Sequence, residues 1–299
     1  MTGGKSGKGL GGTVRRAALL PQRYGLSPEK VRTRLREMAA LTARWEVTPT
    51  VPATAIVLDR HPGIAKELAA MDPAIHGHRH IPYAGLPAAD QAKDLDAARA
   101  TFARHGLPAR GFRAPYLSAS ETTLRLLRER GFTYDSSAAR FVLPESDSVS
   151  KEAIRLSETR YGRVQMGVAF PRMEGELAEL PVALPDDEIL ADGLGIRSAA
   201  TLQEILGRMM AATHKSGGLL VLQVHPERFP LFSEPIGEVL ARAHDLGAWC
   251  ASLSEVASWV LKNPAEPTRW PKGHSMALAV TGDLDAVSLG DFARRVVGG

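Results

Sequence analysis

The sequence predicts a single α/β domain, a barrel-like ring of strands with helices packed outside. Two observations carry that prediction. Helix-like and strand-like segments alternate along the chain with short connections, the pattern of parallel strands covered by helices. The residues able to do chemistry also fall at the carboxyl ends of the strand-like segments, where β/α barrels place their sites. With 299 residues, 44% hydrophobic and 23% charged, the composition is that of a soluble globular protein, and one large domain fits better than two.

The elements follow in order. SPEKVRTRLREMAALTARW has helical apolar periodicity and Ser27 as its expected N-cap. PTVPATAIVL is expected to be a buried strand, and HPGIAKELAAM a short helix leading to AIHGHRH. AADQAKDLDAARATFARHG predicts a long amphipathic helix ended by Gly106. GFRAPY predicts a short strand running into a loop, and SASETTLRLLRERG a capped helix, again ended by glycine. FTYDSS, ELAELPVAL, GLLVLQVHP, GAWCASL and SMALAVTGD supply further strands, with helices over 200–213 and 234–246. No internal repeat or long low-complexity linker is visible.

Charge excludes a nucleic-acid role. Residues 1–16 hold Lys5, Lys8, Arg15 and Arg16 and no acid, which accounts for the whole net charge of +4. The remaining body is balanced and has no surplus for phosphate binding. We therefore expect 1–16 to be a flexible basic tail and 17–299 a single domain. GGKSGKG resembles a phosphate loop only faintly, because the first glycine is missing and no strand precedes it. No apolar run reaches the roughly 18 residues of a membrane span. The N-terminal segment lacks the apolar core of a signal peptide, and Arg15-Arg16 is followed only by AALL and a proline. The expectation is a cytoplasmic protein without membrane partners. Cys250 is the single cysteine, so neither an intramolecular disulfide nor a cysteine-built metal site can form.

The most informative stretch is AIHGHRH, residues 74–80. His76 and His80 stand four apart, and on a helical turn both imidazoles can converge on one metal ion. His78, between them, should point away. A hydrolytic metal also needs a carboxylate, and the candidates are Asp283 and Asp285 after the apolar run MALAV. In extended backbone, residues two apart face one side, so both can enter one pocket. Arg113, flanked by Gly111, Phe112 and Pro115, suits a buried position beside a carboxylate. His225 ends the apolar strand GLLVLQV before a proline. Each has a plainer reading: surface histidines, solvated acids, a surface ion pair, a core histidine.

Together these residues resemble the polysaccharide deacetylase superfamily, the NodB-like carbohydrate esterases of family 4 type. The matching motifs are His76-Gly-His-Arg-His80, Arg113-Ala-Pro-Tyr116, Leu222-Gln-Val-His225 and, at the far end, Thr281-Gly-Asp283-Leu-Asp285. The resemblance implies a distorted (β/α) barrel and a divalent metal held by Asp285, His76 and His80. It makes Asp283 the base, His225 the acid and Arg113 the partner of a catalytic carboxylate. Tyr116 and Pro115 then line the substrate site, with a Tyr116 backbone N–H at the oxyanion. The ligand set suits zinc, and also cobalt, nickel or iron(II). In ordinary members the aspartate motif comes first. Here it comes last, so the chain looks circularly permuted, with the aspartate-motif strand supplied by the C-terminus next to PTVPATAIVL. Two departures stand out. The aspartates are two apart rather than adjacent, and the fourth motif has only a loose counterpart in ELPVALPDDE, with Asp186 and Asp187. The implied activity is metal-dependent N-deacetylation of an N-acetylated amino sugar or related small molecule in a cytoplasmic biosynthetic pathway. The substrate would be a small molecule or a glycan, and a homo-oligomer is compatible with it. The alternatives are a cyclic-amide hydrolase of allantoinase type and a non-catalytic carbohydrate-binding relative.

Overall fold

The computed structural model describes residues 20–144 and 148–298; the expected basic tail lies outside the described residues. After a helical stretch over residues 20–23 comes helix α1 (Glu29–Ala43), which buries Val31, Leu35 and Met38. Strand β1 (Thr50–Ala53) is followed by two short helices, α2 (Ile56–Arg60) and α3 (Ala65–Ala69), and by strand β2 (Asp72–Ile75). Then come α4 (Ala88–Arg104), β3 (Gly111–Phe112), α5 (Glu121–Glu129), β4 (Tyr134–Asp135) and β5 (Ala139–Phe141). Helix α6 (Ser148–Tyr161) leads into β6 (Gln165–Met166), β7 (Arg172–Glu174), β8 (Leu177–Glu179) and β9 (Val182–Leu184). A π-helical turn (Glu188–Gly193) precedes α7 (Ala199–Ser216), β10 (Leu219–Gln223), α8 (Phe229–Asp245), β11 (Trp249–Cys250) and α9 (Leu253–Lys262). Strand β12 (Ala277–Thr281) and helix α10 (Leu289–Gly298) complete the described chain.

The main sheet runs β10-β12-β1-β2-β3-β4-β8-β7, with β11 also on β12. Its pairs are parallel except β7 with β8. A second sheet, β6-β5-β9, places β9 beside β10. The ring therefore curls toward closure without being hydrogen-bonded all the way round, and the expected closed barrel is a half-barrel plus a small sheet. This is the distorted (β/α) barrel expected of a deacetylase-type chain, and its strand C-terminal ends share one face.

The C-terminal strand sits where the sequence put it. β12 pairs in full register with β10, from Leu219↔Ala277 to Gln223↔Thr281, and meets β1 at Thr50↔Thr281. All five of its residues are buried, as expected of a parallel strand covered on both faces.

Several local expectations are corrected. Helix α1 starts at Glu29 behind Pro28, and Ser27 makes no cap. Proline suits a helix start because the N–H it lacks would have no helical partner. PTVPATAIVL is strand only to Ala53 and turns into α2. ELAELPVAL breaks at Pro181 into β8 and β9, which belong to different sheets, because proline cannot supply a ladder N–H. Helices α6, α9 and α10 were not anticipated. The Ser120 cap is present with a reciprocal box to Thr123. Cys250 is half-buried in β11, and burial pushes its thiol up to about 11. Among the described residues, no helix is long and apolar enough to cross a membrane.

Candidate metal centre and acid–base site

His76 and His80 follow β2 on a loop rather than a helical turn. Convergence comes from Gly77, whose φ of +74° reverses the chain, and where a Cβ would meet the Arg79 carbonyl at 2.7 Å. Only glycine enters that region without strain. Asp94 on α4 fixes the loop from below. It accepts from the backbone N–H of His78 at 2.7 Å and of Arg79 at 3.3 Å, and from the Tyr83 hydroxyl at 2.6 Å. The two imidazoles end with ring centroids 5.2 Å apart. His78 turns outward, 3.7 Å from Asp59.

The His76 ring is oriented by its Nδ1, 2.8 Å from the Arg113 carbonyl oxygen. A carbonyl can only accept, so Nδ1 carries a hydrogen and Nε2 is the ring nitrogen turned to the site. His76 Nε2 faces Asp285 Oδ1 at 3.4 Å and Asp283 Oδ2 at 3.9 Å. His80 Nε2 lies 3.3 Å from Asp285 Oδ2. Burial drives the His80 ring toward neutrality, to about 3, despite the Asp285 charge. Burial opposes ionisation of Asp285, but His80, Arg295 and His76 together hold its carboxyl well below the usual range. Asp285 Oδ1 and His80 Nδ1 are both buried without a hydrogen-bond partner.

One ligand atom from each of His76, His80 and Asp285 falls within 4.8 Å of the others. Two imidazoles, an ionised carboxylate and an orphaned carboxylate oxygen fit a divalent ion. Arg295, on α10, ion-pairs with Asp285 Oδ2 and leaves Oδ1 for a ligand. Sequence reading missed this arginine, because its helix position became meaningful only once α10 packed beside the site.

Arg113 reaches across the barrel and is fully buried. Its Nη1 donates to Asp283 Oδ1 at 2.7 Å and to Thr281 Oγ1 at 2.9 Å. Nη2 donates to Ser136 Oγ at 2.9 Å and Nε to the Ser136 carbonyl at 3.1 Å. Every guanidinium nitrogen therefore has a partner, as a buried cation needs. Asp283 and Asp285 follow β12, with Leu284 between them bridged to Ala53, so the extended backbone aims both carboxylates the same way. Gly282 is required here, since a Cβ would lie 2.5 Å from the Val224 carbonyl.

His225 continues β10 alongside Asp283, two residues past the Gln223↔Thr281 pair. Asp187 grips it twice, through Nδ1 at 2.8 Å and the backbone N–H at 2.9 Å. Burial opposes the His225 charge, but the Asp187 carboxylate and Glu227 more than offset it, so the imidazolium persists well above the usual histidine range. The loosely placed ELPVALPDDE thus supplies the residue that orients His225. The signal was present as Asp186-Asp187 after the last strand of that run, but which aspartate turned inward was not. Asp186 instead accepts from the Tyr161 hydroxyl and, at 2.9 Å, from the Ile189 N–H. Burial and the charges of Asp187 and Glu188 push its carboxyl up to about 6.

Pro115 and Tyr116 form a tight turn after β3. Tyr116 and Leu117 sit at φ +59° and +54°, strained values for residues with side chains. The turn sets the Tyr116 ring edge-on to His80, centroids 4.5 Å apart, and the Arg160 guanidinium lies over the Tyr116 ring at 5.3 Å.

A parallel α/β half-barrel whose strand ends gather two histidines and two aspartates is the class of structure that fold and site define. Three solved structures are similar to it. A protein from Mycobacterium smegmatis described as a polysaccharide deacetylase superposes with a TM-score of 0.60 at 24% identity, covering 78% of this chain and 77% of that one. One from Pseudomonas aeruginosa PAO1, of the same description, gives 0.58 at 18% identity, over 77% and 74%. Puue allantoinase gives 0.57 at 17% identity, over 77% and 73%. The chain has the polysaccharide deacetylase fold. No protein-family model matches it, and no curated protein matches it in sequence.

Proposed function

We propose that this protein is a metal-dependent amide hydrolase, an N-deacetylase acting on an N-acetylated amino sugar or related small molecule. The observation that carries the reading is the pairing of two opposed devices at one face of the barrel. On one side, the Nδ1–H of His76 is committed to the Arg113 carbonyl, so its Nε2 faces Asp285. On the other, Asp187 keeps His225 protonated.

His76, His80 and Asp285 would hold the ion, which when bound polarises the acyl carbonyl and acidifies a water. The chain's own groups do the rest. Arg113 occupies Asp283 Oδ1 at 2.7 Å, leaving Oδ2 to accept the water proton as the oxygen attacks the acyl carbon. The Tyr116 backbone N–H, in its left-handed turn, would donate to the oxyanion, where one donor is worth roughly 100-fold to 1000-fold in rate. His225 Nε2 makes no hydrogen bond with a described residue and carries the proton that the leaving amine needs. The amine departs neutral, acetate is released, and Asp187 holds the imidazole in place for reprotonation.

The test combines metal analysis with acetate release from N-acetylglucosamine derivatives, in the parent and in Asp283→Asn. The reading expects stoichiometric metal in both and turnover only in the parent. Ring opening of a cyclic amide without acetate release would favour the allantoinase-type alternative. Metal-free protein with no turnover on either substrate would favour a binding role.

A further inference from the structure

The mechanism leaves unused a cavity at the carboxyl ends of β4 and β8. It has a volume of about 190 Å³ and is lined by Arg140, Arg163, Arg172 and Gln165, with Ser137 and Leu117 beside them. No aspartate or glutamate lines it. The arginines are under-used by the protein. Arg172 pairs with Glu174 at 2.8 Å. Among the described residues, Arg140 makes one hydrogen bond, to the Met166 carbonyl at 3.2 Å. Arg163 makes no hydrogen bond or ion pair with a described residue. Two guanidinium groups without an acid partner around one concavity form an electropositive pocket, and their planar forks match carboxylate and phosphate oxygens.

The cavity adjoins the reaction site through the chain itself. Leu117 and Tyr161 in its wall are the neighbours in sequence of Tyr116 and Arg160, the two side chains stacked on the His80 side of the centre. A second cavity of about 220 Å³ shares Leu117, Ser137, Ala138 and Arg172 with the first. Its buried acids, Asp135 and Glu179, are register neighbours on β4 and β8. Burial raises both carboxyls, and the Asp135 charge raises Glu179 further, so this pair opposes an anion less than two exposed carboxylates would; Glu121 also lines the second cavity.

We propose that the arginine-lined cavity is an anion-recognition subsite: the substrate carries a carboxylate or phosphate that Arg140 and Arg163 bind while its acyl amide lies at the His76–Asp283 site. The inference rests on the acyl-amide reading of that site. It narrows the substrate from amino sugars in general to acidic ones.

Binding of the amine products tests it without turnover. Glucosamine, glucosamine 6-phosphate and muramic acid are titrated by calorimetry into the full-length, zinc-loaded protein, into Arg163→Gln and into the Arg140→Ala, Arg163→Ala pair. At least one anionic product should bind the parent roughly tenfold or more tightly than glucosamine, the worth of one charge-assisted contact. That preference should shrink in Arg163→Gln and vanish in the double variant. A preference for the phosphate alone, or for the carboxylate alone, identifies the anion. Equal binding of all three products, absence of binding, or a preference that survives in Arg163→Gln overturns the proposal. Arg163 is exposed and bonds to no other described residue, so Arg163→Gln keeps the test decisive if the double variant misfolds. An anion preference without acetate release would instead count against the deacetylase reading.

Discussion

Arg113 Nη1 donates to Asp283 Oδ1 at 2.7 Å across 170 residues of chain. Both partners are buried, so neither charge survives comfortably without the other. Removing one member of such a pair costs about 3–5 kcal/mol, because the remaining charge stays buried.

Arg113→Lys therefore lowers both stability and turnover. A lysine ammonium can meet Asp283 or Ser136, but it cannot span Thr281, Asp283 and both Ser136 oxygens at once. We expect at least a hundredfold loss in kcat, about 2.7 kcal/mol at the barrier, with metal content retained. Thermal melting, metal analysis and kcat on one sample set check it, and near-parental kcat would refute the role of Arg113 in holding Asp283.

Asp187→Asn should shift the alkaline limb of the kcat/KM profile to lower pH. Asp187 and Glu227 raise the His225 pKa against burial, and the amide removes the larger of those charges. The stability contribution has the same sign. A histidine with a raised folded pKa adds stability that is fully present below about pH 6.5 and is lost as pH rises through the folded value. The parent should lose that part of its melting temperature on the alkaline side, and Asp187→Asn should not. Superimposable pH profiles for the two proteins would argue against His225 as the acid.

The metal prediction concerns His76 and His80. Either histidine changed to alanine leaves two protein ligands, too few to hold a catalytic ion firmly. Bound metal and turnover should fall together. Full occupancy in a His76→Ala, His80→Ala double variant, measured by plasma emission, would sink the ligand assignment.

The last prediction concerns the C-terminal strand. Deleting residues 276–299 removes β12 from between β10 and β1, along with Asp283, Asp285 and the Arg295 that pairs with Asp285. The truncated chain should fail to fold, not merely lose activity. The rest of the tail already lies against the first described segment, with the Leu289 N–H 2.9 Å from the Gly25 carbonyl and Phe292 stacked on Tyr24. A rearranged chain that moves residues 270–299 ahead of residue 20 through a flexible linker should therefore fold and bind metal. Cooperative melting of the truncated protein, or failure of the rearranged one, would contradict this.

The class of fold, the strand-end placement of the candidate residues and most of the side chains that gather there were legible in the chain alone. Apolar runs such as MALAV and LLVLQ mark buried strands whatever their neighbours, and GHRH, FRAP and TGDLD stand beside such runs in plain view. Tertiary structure alone decided how those pieces meet. That His76 and His80 converge through a reversed glycine rather than a helical turn depends on Asp94, an acid on a buried position of α4. That Asp187 and not Asp186 faces His225 depends on how the π-helical turn seats after β9. That the ring stays open between its two sheets follows from Pro181, read in sequence as part of one strand. Periodicity reports which residues avoid water, a local property. Which buried charge answers which is settled by long-range packing, as Arg113 and Asp283 are paired by strands β3 and β12 from distant parts of the chain.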